Sequence, residues 1–199
     1  VRPPQPGESA RDIVVHFLDA MEASPISTRV AREFLSEEAA ASWNPELGTV
    51  VYASRSAPSG SSVVELALEA AGHLDERGAW RGPLPALEST LRFPMVREQG
   101  EWRIAAAPNA LIVRERWFEQ RFRQVSLYYF DPEGQVLVPE PVYLPIGDQL
   151  PTFLTRTLVA GPPAGLREVV RTFFPPGMTA RLSVTVNAEG QAQIALQGD

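Results

Sequence analysis

Val63-Val64-Glu65-Leu66-Ala67-Leu68-Glu69-Ala70 decides the fold class: Val64, Leu66, Leu68 and Ala70 share one parity, and Val63, Glu65, Ala67 and Glu69 share the other. A period of two, with apolar residues on one side and two carboxylates on the other, describes a half-buried strand. Towards the N-terminus the period is close to 3.6. Ser9 followed by Asp12 starts a helix in which Ile13, Val14, Phe17, Leu18 and Met21 form one stripe ending near Ser24-Pro25. Ser27 predicts the cap of a second helix with Val30, Phe34 and Leu35 on one face. Ser36 with Glu37 and Glu38 opens a further turn that Asn44-Pro45 stops, and a short strand is expected near Thr49 to Ala53.

Towards the C-terminus the period of two continues. Leu87, Leu91, Phe93 and Met95 alternate with Glu88, Thr90, Arg92 and Val96, and Gln99-Gly100 turns the chain into Trp102 and Ile104. Helices followed by a curved antiparallel sheet make an α+β domain, expected to be an NTF2-like or cystatin-like cone ending near Ala105 to Pro108.

A second pattern follows the segment Leu111 to Gln124. Val125 to Phe130 predict a strand, Asp131-Pro132-Glu133-Gly134 supplies a turn, and Val136 to Val138 resume extension. Pro139, Pro141 and Pro145 point to an edge strand. Asp148 is the expected cap of a helix carrying Leu150, Phe153, Leu154, Thr157 and Leu158, stopped by Gly161-Pro162-Pro163. A short helical stretch around Leu166 to Arg171 comes next. Leu182, Val184 and Val186 then lead through Asn187 to Gly190 into Ala192, Ile194 and Leu196, a hairpin expected to leave a sheet edge or face uncovered near Leu182 to Leu196. The chain is read as a proline-rich arm (1–8), an NTF2-like domain (9–110), a connector (111–124) and a partial second α+β domain (125–199).

Composition excludes several functions. The 199 residues carry a net charge of −6, with no broad cationic field to gather nucleic acid. Cysteine is absent, which removes disulfides, thiol nucleophiles and thiolate metal sites. All 18 basic residues are arginine, so Schiff-base chemistry and the usual phosphate-loop cation have no lysine. No apolar run approaches the ~20 residues of a spanning helix, and Val1 to Gly7 lacks a signal-peptide core, so the chain reads as soluble and as a processed or trimmed product.

Candidate chemistry is sparse, and neither an enzyme nor a cofactor is expected. His16, in the first helix, and His73, at a strand end, have no second ligand at metal spacing. Ser59-Gly60-Ser61-Ser62 lacks the Gly-x-Ser-x-Gly order of a nucleophile turn and reads as a loop. Glu65, Glu69 and Glu88 would serve as a general base if one of them faced a cone pocket, but all three fall on the polar face. Arg114 to Arg123 interleaves Arg114, Arg116, Arg121 and Arg123 with Trp117, Phe118 and Phe122, diluted by Glu115 and Glu119, and reads as a connector with packing aromatics rather than a membrane contact. Trp80, between Gly78 and Gly82, is either an interface anchor or a ring folded over its own sheet. Trp80, Arg81, Arg116 and Trp117 are the partner-binding candidates.

Two ordered sets of motifs carry a resemblance. The first reads Arg32-Glu33-Phe34-Leu35-Ser36, Ala41-Ser42-Trp43-Asn44-Pro45, Trp102-Arg103-Ile104 and Pro108-Asn109. The second reads Leu127-Tyr128-Tyr129-Phe130-Asp131-Pro132-Glu133-Gly134, Val138-Pro139-Glu140-Pro141 and Leu158-Val159-Ala160-Gly161-Pro162. In this order they resemble the actinobacterial LpqB lipoproteins, the second set being similar to the opening of a GerMN domain. The resemblance implies a lipid anchor upstream of Val1, attachment to the cell membrane on its extracytoplasmic side, and a β-propeller beyond Asp199. It further implies a non-catalytic accessory role, binding the extracellular region of an MtrB-like sensor histidine kinase and modulating two-component signalling through MtrA. The alternatives are an apolar-ligand carrier, using the cone pocket, and an envelope or peptidoglycan scaffold.

Overall fold

The structure, a computed structural model, describes residues 2–180 and 183–198. The chain is α+β and divides into two compact units, Val1–Glu76 with Trp80–Gln120, and Arg77–Ala79 with Arg121–Asp199.

The first unit begins with α1 (Ala10–Met21), whose first turn is closed as the sequence predicts. Ser9 Oγ accepts from the Asp12 N–H, and the Asp12 carboxylate accepts from Ser9, a reciprocal capping box. The predicted stripe is the buried face: Ile13, Val14, Phe17, Leu18 and Met21 are at most 1% exposed. Next, α2 (Arg29–Arg32) is a single turn, shorter than the Ser27-capped helix expected. Phe34 and Leu35 leave the helical path because their backbone pairs elsewhere: Ile104 N–H donates to Phe34 O, and Leu35 bridges Ile104. A tertiary pairing thus overrides the local helical period. Ser36 caps α3 (Glu37–Ser42) through the Ala39 N–H, and Trp43 ends it.

The strands of this unit are β1 (Gly48–Tyr52), β2 (Ser54–Arg55), β3 (Ser59–Gly60), β4 (Val63–Glu69), β5 (Gly72–Asp75), β6 (Trp80–Pro83), β7 (Thr90–Glu98), β8 (Glu101–Ile104) and β9 (Leu111–Arg114), followed by α4 (Glu115–Arg121). One sheet runs β2-β4-β7-β8 with β3 also on β4, and it is antiparallel. In β4, Val64, Leu66 and Leu68 are buried, but the strand ends at Glu69 because Ala70 takes a positive φ. Leu87 is not part of β7; it projects from the preceding turn into solvent.

The other sheet runs β6-β5-β1-β9, with β1 and β9 parallel. Leu111 to Arg114, expected within a connector, are therefore a strand of the first unit. Leu111, Ile112 and Val113 are all buried, a continuous apolar run of the kind that suits a parallel strand covered on both faces. One covering residue is Met21 of α1, whose Sδ accepts from the Ile112 N–H at 3.1 Å.

In the second unit β10 (Phe122–Phe130) and β11 (Leu137–Pro145) pair antiparallel in register from Phe122↔Pro145 to Phe130↔Leu137. The turn between them is tied by Asp131, whose Oδ1 accepts from the Gln135 and Val136 N–H groups at 2.7 and 2.9 Å. Pro139, Pro141 and Pro145 share the parity of Tyr143, whose N–H points away from β10 and donates to Gly78 O. The prolines thus lie where no donor to β10 is required, which is how one strand accommodates three of them.

Next comes α5 (Leu150–Val159), capped by Gln149 without a side-chain bond rather than by Asp148. Leu150, Leu154 and Leu158 pack on the core of Ala79, Leu127, Tyr129, Val142, Leu144 and Val170, while Phe153 is half-exposed. The remaining pairs are β12 (Thr179–Ala180) with β15 (Leu196–Gln197), and β13 (Thr185–Val186) with β14 (Ala192–Gln193). Val186, Ile194 and Leu196 are exposed; Leu182 lies outside the described residues.

Candidate functional site

Trp80 opens β6 at one edge of the β6-β5-β1-β9 sheet, and its ring is folded over the neighbouring strand. A β-carbon built at Gly72 would stand 2.1 Å from Trp80 Cη2, so the absence of a side chain at 72 is what admits the indole. The ring nonetheless keeps 48% of its accessible surface. The ring is therefore folded over its own sheet, fixed from below and open from above. Beside it, Arg81 Nε donates to Asp75 Oδ2 at 2.9 Å, which directs the guanidinium across the β5–β6 hairpin.

Arg116 and Trp117 follow β9 at the opposite edge of that sheet, with Arg116 exposed and Trp117 partly buried in α4. The two edges are three strand spacings apart, about 14 Å. The four candidates thus fall into two pairs rather than one patch.

The pocket carboxylates are surface residues. Glu65 meets its cross-strand neighbour Arg92 at 2.7 Å, Ser54 donates to Glu69, and Glu88 is exposed. The interior beneath α1 is occupied by side chains. Phe17 packs against Trp43 and Phe93 with ring centroids 5.5 and 6.0 Å away, where an apolar ligand would have to sit. His16 Nδ1 lies 3.0 Å from Glu8 Oε1. Among the described residues no group of three or more His, Cys, Asp or Glu is placed to hold a metal ion.

Two charged clusters escaped the sequence reading. In the first unit Arg114 Nε meets both oxygens of Glu22 at 2.8 and 2.9 Å, and Arg55 Nη2 meets Asp19 Oδ1 at 3.0 Å. Beside them burial pushes the Tyr52 hydroxyl above its usual pKa, against the pull of Arg55. In the second unit Glu140 is buried and lies 3.7 Å from Arg77 Nη2, which also donates to Tyr129 Oη at 2.8 Å. The signal for this second cluster was present: Val138, Val142 and Leu144 share their parity with Glu140, which places a carboxylate on the apolar face.

The motif residues come together in space. Trp43 Nε1 donates to Pro108 O at 2.8 Å, and the Asn44 N–H donates to Asn109 Oδ1 at 2.9 Å. Arg32 Nη1 donates to Trp43 O at 3.0 Å, and the Ser36 N–H donates to Ile104 O at 2.8 Å. Tyr129 Oη donates to Gly161 O at 3.2 Å in the second set. These residues tie distant segments of each unit to one another.

Residues 3–119 match the family described as Lipoprotein LpqB, N-terminal domain. The chain belongs to the LpqB lipoprotein family. Residues 126–199 match a second family, described as Sporulation and spore germination. Similar LpqB proteins include those of Cutibacterium acnes, 31% identical over 98% of this chain, and of Thermobifida fusca and Mycobacterium bovis, each 30% identical over 96%. The chain spans about a third of the length of these LpqB relatives, 33%, 34% and 34% respectively. No solved structure matches it. Among the described residues no helix is long and apolar enough to cross a membrane.

Proposed function

We propose that this chain is the non-catalytic adaptor region of a lipid-anchored, extracytoplasmic LpqB protein, and that it binds the sensor region of an MtrB-like histidine kinase and modulates its signalling. Family membership supports the lipid anchor, and the LpqB resemblance supports the partner. The observation that carries a binding role is Trp80, a large ring half-exposed yet fixed against Gly72, with Arg81 oriented beside it by Asp75. A pre-positioned Trp and Arg lose little freedom on association, which is why such residues dominate binding energies. The less exposed ionisable groups favour the same reading, because Glu22 is held by Arg114, Arg55 by Asp19, and buried Glu140 faces Arg77.

The test is equilibrium titration of the lipid-free ectodomain against the extracellular region of the kinase. Saturable binding is expected, weakened about tenfold or more by Trp80→Ala or Arg81→Ala. Absence of binding by the unaltered ectodomain overturns the partner. Binding that survives both substitutions, but not Arg116→Ala or Trp117→Ala, moves the surface to the other sheet edge.

A further inference from the structure

Arg77, Gly78 and Ala79 lie in sequence between β5 and β6, yet they belong to the second unit. Each of the three makes a different commitment there. Ala79 is 4% exposed, bridges Val142 of β11 and takes part in the core with Leu127, Tyr129 and Leu144. Gly78 accepts from the Tyr143 N–H at 2.7 Å, with φ +79° and a would-be β-carbon 2.2 Å from Tyr143 O, so no other residue fits without displacing β11. Arg77 brings the cation: its Nη2 donates to Tyr129 Oη and to Thr157 O at 2.8 and 3.3 Å, and stands 3.7 Å from Glu140.

We infer that Arg77–Ala79 is a strap on which folding of the second unit depends, with Arg77 a counter-ion facing Glu140 on its apolar face. A buried carboxylate deprived of its cation is strongly destabilising, whereas removing both charges together costs far less. The segment matched as its own family, 126–199, is then an incomplete folding unit in this protein without three residues from far upstream.

The test is amide hydrogen exchange on the whole chain. Arg77→Met and Glu140→Gln should each speed exchange at the β10, β11 and α5 amides by about tenfold or more, leaving α1 unchanged. The double variant should lose less protection than the product of the single effects. Unaltered exchange in β11, an equal rise throughout α1, or singly additive losses would overturn the inference. If Arg77→Met does not accumulate folded, the double variant decides: its recovery supports the strap, and its failure overturns it.

Discussion

The Trp80 ring occupies the space that a side chain at Gly72 would fill, with Cη2 only 2.1 Å from the would-be β-carbon. One residue's missing methyl is therefore the seat of another residue's indole. Gly72→Ala should expel the ring or push the β5–β6 hairpin apart, at a cost of about 1–3 kcal/mol for overpacking. Denaturant unfolding gives the cost. Near-ultraviolet dichroism, compared with Trp80→Phe, shows whether the indole has lost its fixed surroundings; an unchanged Trp80 signal would contradict the placement.

Glu22 and Arg114 offer a second handle. Arg114 meets Glu22 through Nε, Nη2 and its own backbone N–H, and the hydrogen bond to Glu22 is the leading reason its pKa is raised. The arginine side chain is half-exposed, so screening limits the contribution. Arg114→Met should cost about 1–2 kcal/mol, and the loss should shrink in molar salt. Melts at low and high ionic strength check both.

Acid should act at two places. The Ser9 hydroxyl holds Asp12 below its ordinary pKa of 3.8, and the Val136 N–H does the same for Asp131. A carboxylate with a lowered folded pKa contributes stability above its unfolded value and loses it as pH falls through the folded one. Stability should thus decline below pH ~4. Ser9→Ala should cost about 1 kcal/mol near neutrality. Asp12→Asn and Asp131→Asn should each flatten the acid limb of a stability profile.

Alkali acts in the opposite sense on Tyr129. Burial pushes its hydroxyl above the ordinary value of 10.0, opposed by the Arg77 charge. A raised folded pKa contributes stability that is complete below pH ~10 and is lost as pH climbs through the folded value. Tyr129→Phe should remove that slope while costing about 1 kcal/mol near neutrality, from the bonds to Arg77 and Gly161. Denaturant melts between about pH 8 and 11 measure it, with Tyr52→Phe as the companion because Tyr52 is raised for the same reason.

Where local rules governed, the sequence could be read directly. The Ser9 box, the α1 stripe, the parity of β4 and the Gln99-Gly100 turn all depend on neighbours within a few residues, and all stand in the structure. Reading failed where a distant partner decided. Phe34 and Leu35 left the helical path for Ile104, and Leu111 to Arg114 became a strand because β1 lies beside them. The Trp80 seat required knowing that Gly72 sits on the adjacent strand. Glu140 was detectable from parity alone, but a cation facing it arrives from residue 77, and no periodicity within either segment connects the two.

Pro139, Pro141 and Pro145 bear on how crowded copies of the protein behave. Of the five outward positions on β11, namely 137, 139, 141, 143 and 145, three have no amide hydrogen, and the one at 143 is taken by Gly78. Were the chain tethered to a membrane as proposed above, its copies would meet at high density in a plane, where an open edge would invite polymerisation. This strand denies an incoming copy the donors that a ladder needs, so the β11 edge disfavours strand addition.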